Sequence, residues 1–67
     1  MVCYVNNSPQ ETTDAQSLTD LLAQLALAGQ RGLAVAVNDE VVPRAAWPAH
    51  ALHEHDRVTI IRATQGG

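Results

Sequence analysis

Ser17-Leu-Thr-Asp-Leu-Leu-Ala-Gln-Leu-Ala-Leu-Ala-Gly29, followed closely by Leu33-Ala-Val-Ala-Val37, is the stretch on which the fold turns. Ser17 and Asp20 make a capping-box-like start: the Ser17 hydroxyl is free to accept a backbone N–H, and Asp20 puts negative charge in the positive first turn. Leu18, Leu21, Leu22 and Leu25 recur at i, i+3, i+4 and i+7, one apolar stripe along a helix. Gly29 is a natural stop after Ala28. Burying the leucine stripe only offsets the entropy lost in ordering about a dozen residues. The helix therefore needs a sheet to lie on. Leu33–Val37 supplies a central strand, apolar on both faces as a buried strand is.

Outward from this pair, further strands complete the sheet. Val2–Asn6 reads as a first strand, with Cys3 and Val5 on one face and Val2 and Tyr4 on the other. Asn6–Asn7–Ser8–Pro9 is turn chemistry, and Gln10–Thr13 is a weakly marked returning strand. On the other side, Asn38–Asp39–Glu40 is a tight polar turn, and Val41–Val42 is a short strand ended by Pro43, which removes a ladder donor. Arg44–Leu52 is irregular or one short helical turn anchored by Trp47, and His53–Arg57 is a polar loop. Val58–Ala63 is a final strand, with Val58, Ile60 and Arg62 alternating against Thr59, Ile61 and Ala63. Residues 64–67 have no apolar anchor and form an expected mobile tail. The prediction is an α+β domain spanning residues 1–67, a mixed sheet of four to five strands packed on one helix.

Size and charge narrow the function. A chain of 67 residues buries only roughly 60% of its unfolded surface, leaving little room for a deep catalytic pocket. No paired acid and base, phosphate loop or nucleophile with a partner base is visible, so catalysis in its own right is not expected. No run approaches the ~20 apolar residues of a membrane span. Val5 is followed at once by Asn6–Pro9, so no signal peptide is read and a cytoplasmic chain is expected. The formal charge of −3 disfavours nucleic acid as a partner. All four basic residues are arginines, so no side chain can act as an isopeptide acceptor. Cys3 is the one cysteine, which excludes an internal disulfide and a multi-cysteine zinc site.

Gly66–Gly67 carries the functional signal. A frayed end is the plain reading of two glycines alone. Their chemistry supports another. A carboxylate is a poor electrophile until ATP adenylates it in another protein's active site. Glycine lacks Cβ, so its backbone approaches a nucleotide closely and adopts φ values other residues avoid. Four extended residues reach roughly 13–14 Å beyond the sheet, enough to enter a partner's cleft. A sulfur donor that then displaces AMP leaves Gly67 as a thiocarboxylate, a strong nucleophile whose sulfur a second enzyme can take.

Leu33-Ala-Val-Ala-Val-Asn38, Val41-Val42-Pro43-Arg44, Trp47, Asp56-Arg57-Val58 and Gly66–Gly67 together resemble the ThiS family, the sulfur carriers of thiamine thiazole synthesis. The resemblance covers 17–67 well, including the Leu21-Leu22 pair, and Val2–Asn6 loosely. It implies a ubiquitin-like β-grasp fold with the first and last strands side by side. It also implies ATP-dependent adenylation of Gly67 by a ThiF-like adenylyltransferase, sulfur loading by a cysteine-based donor relay, and delivery to thiazole synthase. ATP belongs to the activating enzyme, and the carrier itself holds no cofactor. By this resemblance Gly67 is the carrier site and Gly66 its access residue. Two positions depart from the family pattern. His55 stands before Asp56 where members carry Gly-Asp, and Gln65 stands where a smaller or apolar residue is usual.

The remaining residues carry two readings each. Cys3 is either a reactive thiol or, as is commoner for a lone strand cysteine, a small buried hydrophobe. His50, His53 and His55 suggest a metal site, but their spacing is not helical and no cysteine or clear carboxylate completes a shell, so a solvated loop is expected. Trp47 with Pro43 and Pro48 is either a partner-docking patch or a plug over a sheet edge. Arg44 either meets an acidic group on the activating enzyme or is an exposed structural arginine. Ile61 either faces a partner or joins the core. Rival functions are the small subunit of molybdopterin synthase, with the same thiocarboxylate, a ubiquitin-like protein modifier, and a structural domain with an incidental Gly-Gly end. The length and residues Val42–Trp47 favour the thiamine carrier over the molybdopterin subunit.

Overall fold

Two turns of matched conformation organise the sheet. Asn6 and Asn7 take φ of 49° and 70°, and Asn38 and Asp39 take 50° and 69°. Positive φ at both central residues gives a two-residue hairpin the twist its strands need, and Asn and Asp tolerate it. The first turn joins β1 (Val2–Val5) to β2 (Ser8–Glu11), and the second joins β3 (Leu33–Val37) to β4 (Glu40–Val42). Between them runs α1 (Leu18–Gln24); a 3-10 helix over Arg44–Ala49 leads to β5 (Arg57–Arg62). The computed structural model describes residues 1–13, 16–27 and 29–62. Ala63 and the tail expected over 64–67, with Gln65, Gly66 and Gly67, lie outside the described residues.

The strand order is β2-β1-β5-β3-β4. β1 and β5 pair in parallel, and every other pairing is antiparallel. First and last strands thus lie side by side at the middle of a mixed sheet with one helix across it, the β-grasp arrangement. Leu18, Leu21 and Leu22 of α1 are at most 1% exposed and meet Cys3, Val35, Val37, Val42 and Val58 from the sheet. Leu52 and Trp47 close the side of this core.

Four local expectations are corrected. The first turn is Asn6–Asn7 alone, and the returning strand begins at Ser8, not Gln10. Pro9 sits opposite Tyr4 within β2, which an edge strand tolerates because one side of it needs no donors. β3 is not apolar on two buried faces: Val35 and Val37 are buried, whereas Ala34 is exposed. The helix covers one face only, so β3 shows its small residues to the open face, and β5 is the strand at the centre. The last strand begins at Arg57, one residue early, because Asn38 Oδ1 accepts from the Arg57 N–H at 2.9 Å.

The fourth correction is the helix end. α1 stops at Gln24, well before Gly29, and Leu25 is its C-cap. Ala26 follows at φ 61°, in the left-handed region. Its N–H donates to the Ala23 carbonyl at 3.0 Å, and the Leu27 N–H donates to the Leu22 carbonyl at 2.7 Å. That pair of bonds is a Schellman motif, with Leu27 packing back on the core as its apolar contact. Alanine occupies the position glycine usually takes. Left-handed alanine costs roughly 1–2 kcal/mol, while glycine gives back roughly 0.4–1 kcal/mol in unfolded-chain entropy. Ala26→Gly is therefore expected to stabilise the fold by about 0.5–1 kcal/mol. A urea midpoint that rises with an unchanged slope is the measure; a fall would mean the Ala26 methyl contributes packing.

Candidate functional site

β5 is the strand that delivers the chain to residues 63–67, so its two ends define the site. Its start is fixed by Asp56, 9% exposed. Asp56 Oδ2 accepts from the His53 N–H at 2.8 Å and Oδ1 accepts from Asn38 Nδ2 at 3.0 Å. The Asn38 N–H donates to the Arg57 carbonyl at 2.7 Å. Asn38 and Asp56, recognised in sequence as motif residues, thus form one clamp that sets the register of β3 against β5. His55 sits at φ 68°, the conformation for which glycine is the easier choice, and its ring stacks on Tyr4 with centroids 6.3 Å apart. The histidine keeps the turn rather than reshaping it.

At the far end, Asn6 extends the ladder past β1. Its N–H donates to the Val58 carbonyl at 2.9 Å. Its side chain then acts as a further peptide unit: the Ile60 N–H donates to Oδ1 at 2.9 Å, and Nδ2 donates to the Ile60 carbonyl at 3.3 Å. β3 holds the other side, with Leu33 opposite Arg62. The root of the tail is held on both sides to Ile60 and on one side to Arg62. Beside it lies a groove of about 450 Å³ between the end of α1 and the end of β5, lined by Val5, Asn6, Leu25, Leu27, Leu33, Ile60 and Arg62. These residues come from four separate stretches of chain, and the sequence gives no signal that would have joined them.

The other expected site residues fall as follows. Trp47 is 7% exposed, and its Nε1 donates to the Val42 carbonyl at 2.8 Å; it plugs the core. Arg44 lies over that ring at 4.9 Å and donates to the Gln30 carbonyl at 2.6 Å, which makes it a structural arginine at the surface. Ile61 is 60% exposed on the open face, opposite Ala34, so it is not core. Val41, not singled out from sequence, is exposed on the same face opposite Ala36. Gln65, Gly66 and Gly67 lie outside the described residues. His53 and His55 are largely exposed, and no group of three metal-binding side chains occurs among the described residues. Cys3 is fully buried, its thiol 3.3 Å from the His53 carbonyl oxygen.

Residues 3–67 match the sequence model of the ThiS family. The chain belongs to the ThiS family. Sulfur carrier protein ThiS of Escherichia coli (strain K12) is 31% identical over 67 residues, with each chain covered in full. The crystal structure of a thiamine biosynthesis protein, ThiS, from Geobacter metallireducens superposes with a TM-score of 0.85 at 29% identity, again over the whole of both chains. A solution structure of a thiamine biosynthesis protein from the same organism gives a TM-score of 0.76 at 30% identity, over all of this chain and 88% of that one. The ThiS alignments leave no segment of this chain unmatched, so the β-grasp arrangement is that of the family from end to end.

Proposed function

We propose that this chain is a sulfur carrier of thiamine biosynthesis that carries its sulfur as a thiocarboxylate on Gly67. The observation that supports it most is the family match running through residue 67, joined to full-length alignment with a sulfur carrier from Escherichia coli. In this reading a ThiF-like adenylyltransferase joins the Gly67 carboxylate to AMP and releases pyrophosphate from ATP. Sulfur at the oxidation level of hydrosulfide, supplied by a donor relay, displaces AMP. Thiazole synthase then consumes the thiocarboxylate. The carrier is a co-substrate and catalyses none of these steps. Gly66 gives the backbone room at the nucleotide. Ile61, exposed one strand position from the tail root, offers an apolar contact to the enzyme that receives it. The expected compartment is the cytoplasm; among the described residues no helix is long and apolar enough to cross a membrane.

The test is the intact mass of the native-ended chain after incubation with activating enzyme, ATP and sulfide. A gain equal to exchange of one oxygen for sulfur, mapped to Gly67, is expected. Thiazole synthase, and separately the large subunit of molybdopterin synthase, then reveals which enzyme removes that mass. No gain under conditions that load an established carrier would overturn the reading.

A further inference from the structure

Charge is segregated along β5. Among the described residues, the carboxylates of Glu11, Asp39, Glu40, Glu54 and Asp56 sit on strands and turns at the end where β5 begins: Glu11 pairs with Val2 at the start of the parallel β1, and Glu40 pairs with Val37 beside the Asn38–Asp39 turn. Asp20 lies in the first turn of α1, away from that helix's end. The one arginine at the acidic end, Arg57, faces Asp39 at 3.8 Å. The opposite end carries the other three arginines. Arg62 closes β5, Leu33 is its partner, and Arg31 precedes Leu33 by two residues. Arg44 is tied to the Gln30 carbonyl in the same loop. None of the three has a carboxylate within ion-pair distance among the described residues.

The separation makes this more than a pattern. Six strand residues span about 17 Å, and charges in physiological salt are screened beyond roughly 8 Å. A molecule meeting the tail root therefore meets a cationic end, although the whole chain carries a net charge of −3. The same end holds the groove walled by Leu25, Leu27, Leu33 and Ile60, with Arg62 on its rim.

We infer that the tail-root end is a docking surface for the mouth of the activating enzyme's cleft, and that this mouth presents carboxylates around an apolar side chain that enters the groove. The inference rests on the sulfur-carrier reading. Its cations meet the partner before the tail is threaded, so they act on encounter and binding and leave the chemical step alone.

The experiment measures sulfur loading by the activating enzyme with ATP and sulfide as the carrier concentration is varied. For the double variant Arg31→Glu/Arg62→Glu, KM is expected to rise on the order of tenfold at low ionic strength, with kcat within about twofold. The rise shrinks to less than about threefold near 0.5 M salt, where screening is nearly complete. Arg57→Glu, at the other end, leaves KM within about twofold, and Arg62→Lys behaves as the parent because the charge is kept. Melting curves establish that each variant is folded. An unchanged KM in the double variant, an equal rise in Arg57→Glu, or a rise indifferent to salt would overturn the docking surface while the parent still loads and the carrier reading stands. A parent chain that takes up no sulfur overturns both.

Discussion

Trp47→Ala is expected to remove about 3–5 kcal/mol of folding stability, the range for deleting a large buried aromatic. Chains of this length are stable by only about 3–10 kcal/mol in total, so a large share of the variant molecules unfold at room temperature. The cost has two parts. The indole fills the space between the 3-10 helix and the core beneath α1, and alanine leaves that volume empty. The indole N–H also satisfies the Val42 carbonyl at the end of β4. Trp47→Phe separates the parts: it retains most of the apolar contact and loses the hydrogen bond, a change of about 1 kcal/mol. Thermal unfolding measures both, and for a domain this small the alanine variant should melt on the order of 20 °C lower. A drop below about 5 °C would show that the ring lies on the core without filling it.

Removing Gly67 should do the opposite, leaving the fold intact and abolishing sulfur loading. The described core ends before the tail, with Val58 buried and Arg62 already exposed, so the melting temperature is expected to stay unchanged. The shortened chain still ends in a glycine carboxylate, drawn back by roughly 3.3–3.6 Å. Misplacing a reacting group by even 1 Å can cost on the order of 100-fold, so the oxygen-to-sulfur mass gain should fall by at least that factor. Loading of the shortened chain at the parent rate would mean that the partner does not measure the length of the tail, and the site would have to be placed elsewhere.

The two variants mark what the residues disclose by themselves. The start of α1 was legible because its signal is local: the Ser17 hydroxyl accepts the Asp20 N–H at 3.1 Å, as the sequence suggests. The end of α1 was not, because alanine adopts a conformation that sequence reasoning assigns to glycine, and the energy comes from Leu27 returning to the core. β2 was weakly legible since an edge strand tolerates Pro9 and polar residues that an interior strand rejects. The face on which Ile61 lies depends on which side of the sheet the helix covers, a tertiary fact with no local trace. At the candidate site, Asn38 and Asp56 were visible as motif residues, but their clamp required the fold. The groove required it more, since its walls are contributed by β1, the end of α1, β3 and β5.

Cys3 has no solvent exposure and lies under the His53 carbonyl and Thr12. Exchange at sulfur needs an attacking group to arrive in line with the bond it breaks, and an enclosed thiol offers no such approach. A protein that handles activated sulfur meets persulfides and oxidants that trap any accessible thiol. With its one cysteine sealed in the core, this chain presents no competing acceptor. Sulfur delivered to it is not diverted into mixed disulfides while the globule remains closed, and chemical selectivity for the chain's end is obtained from packing alone.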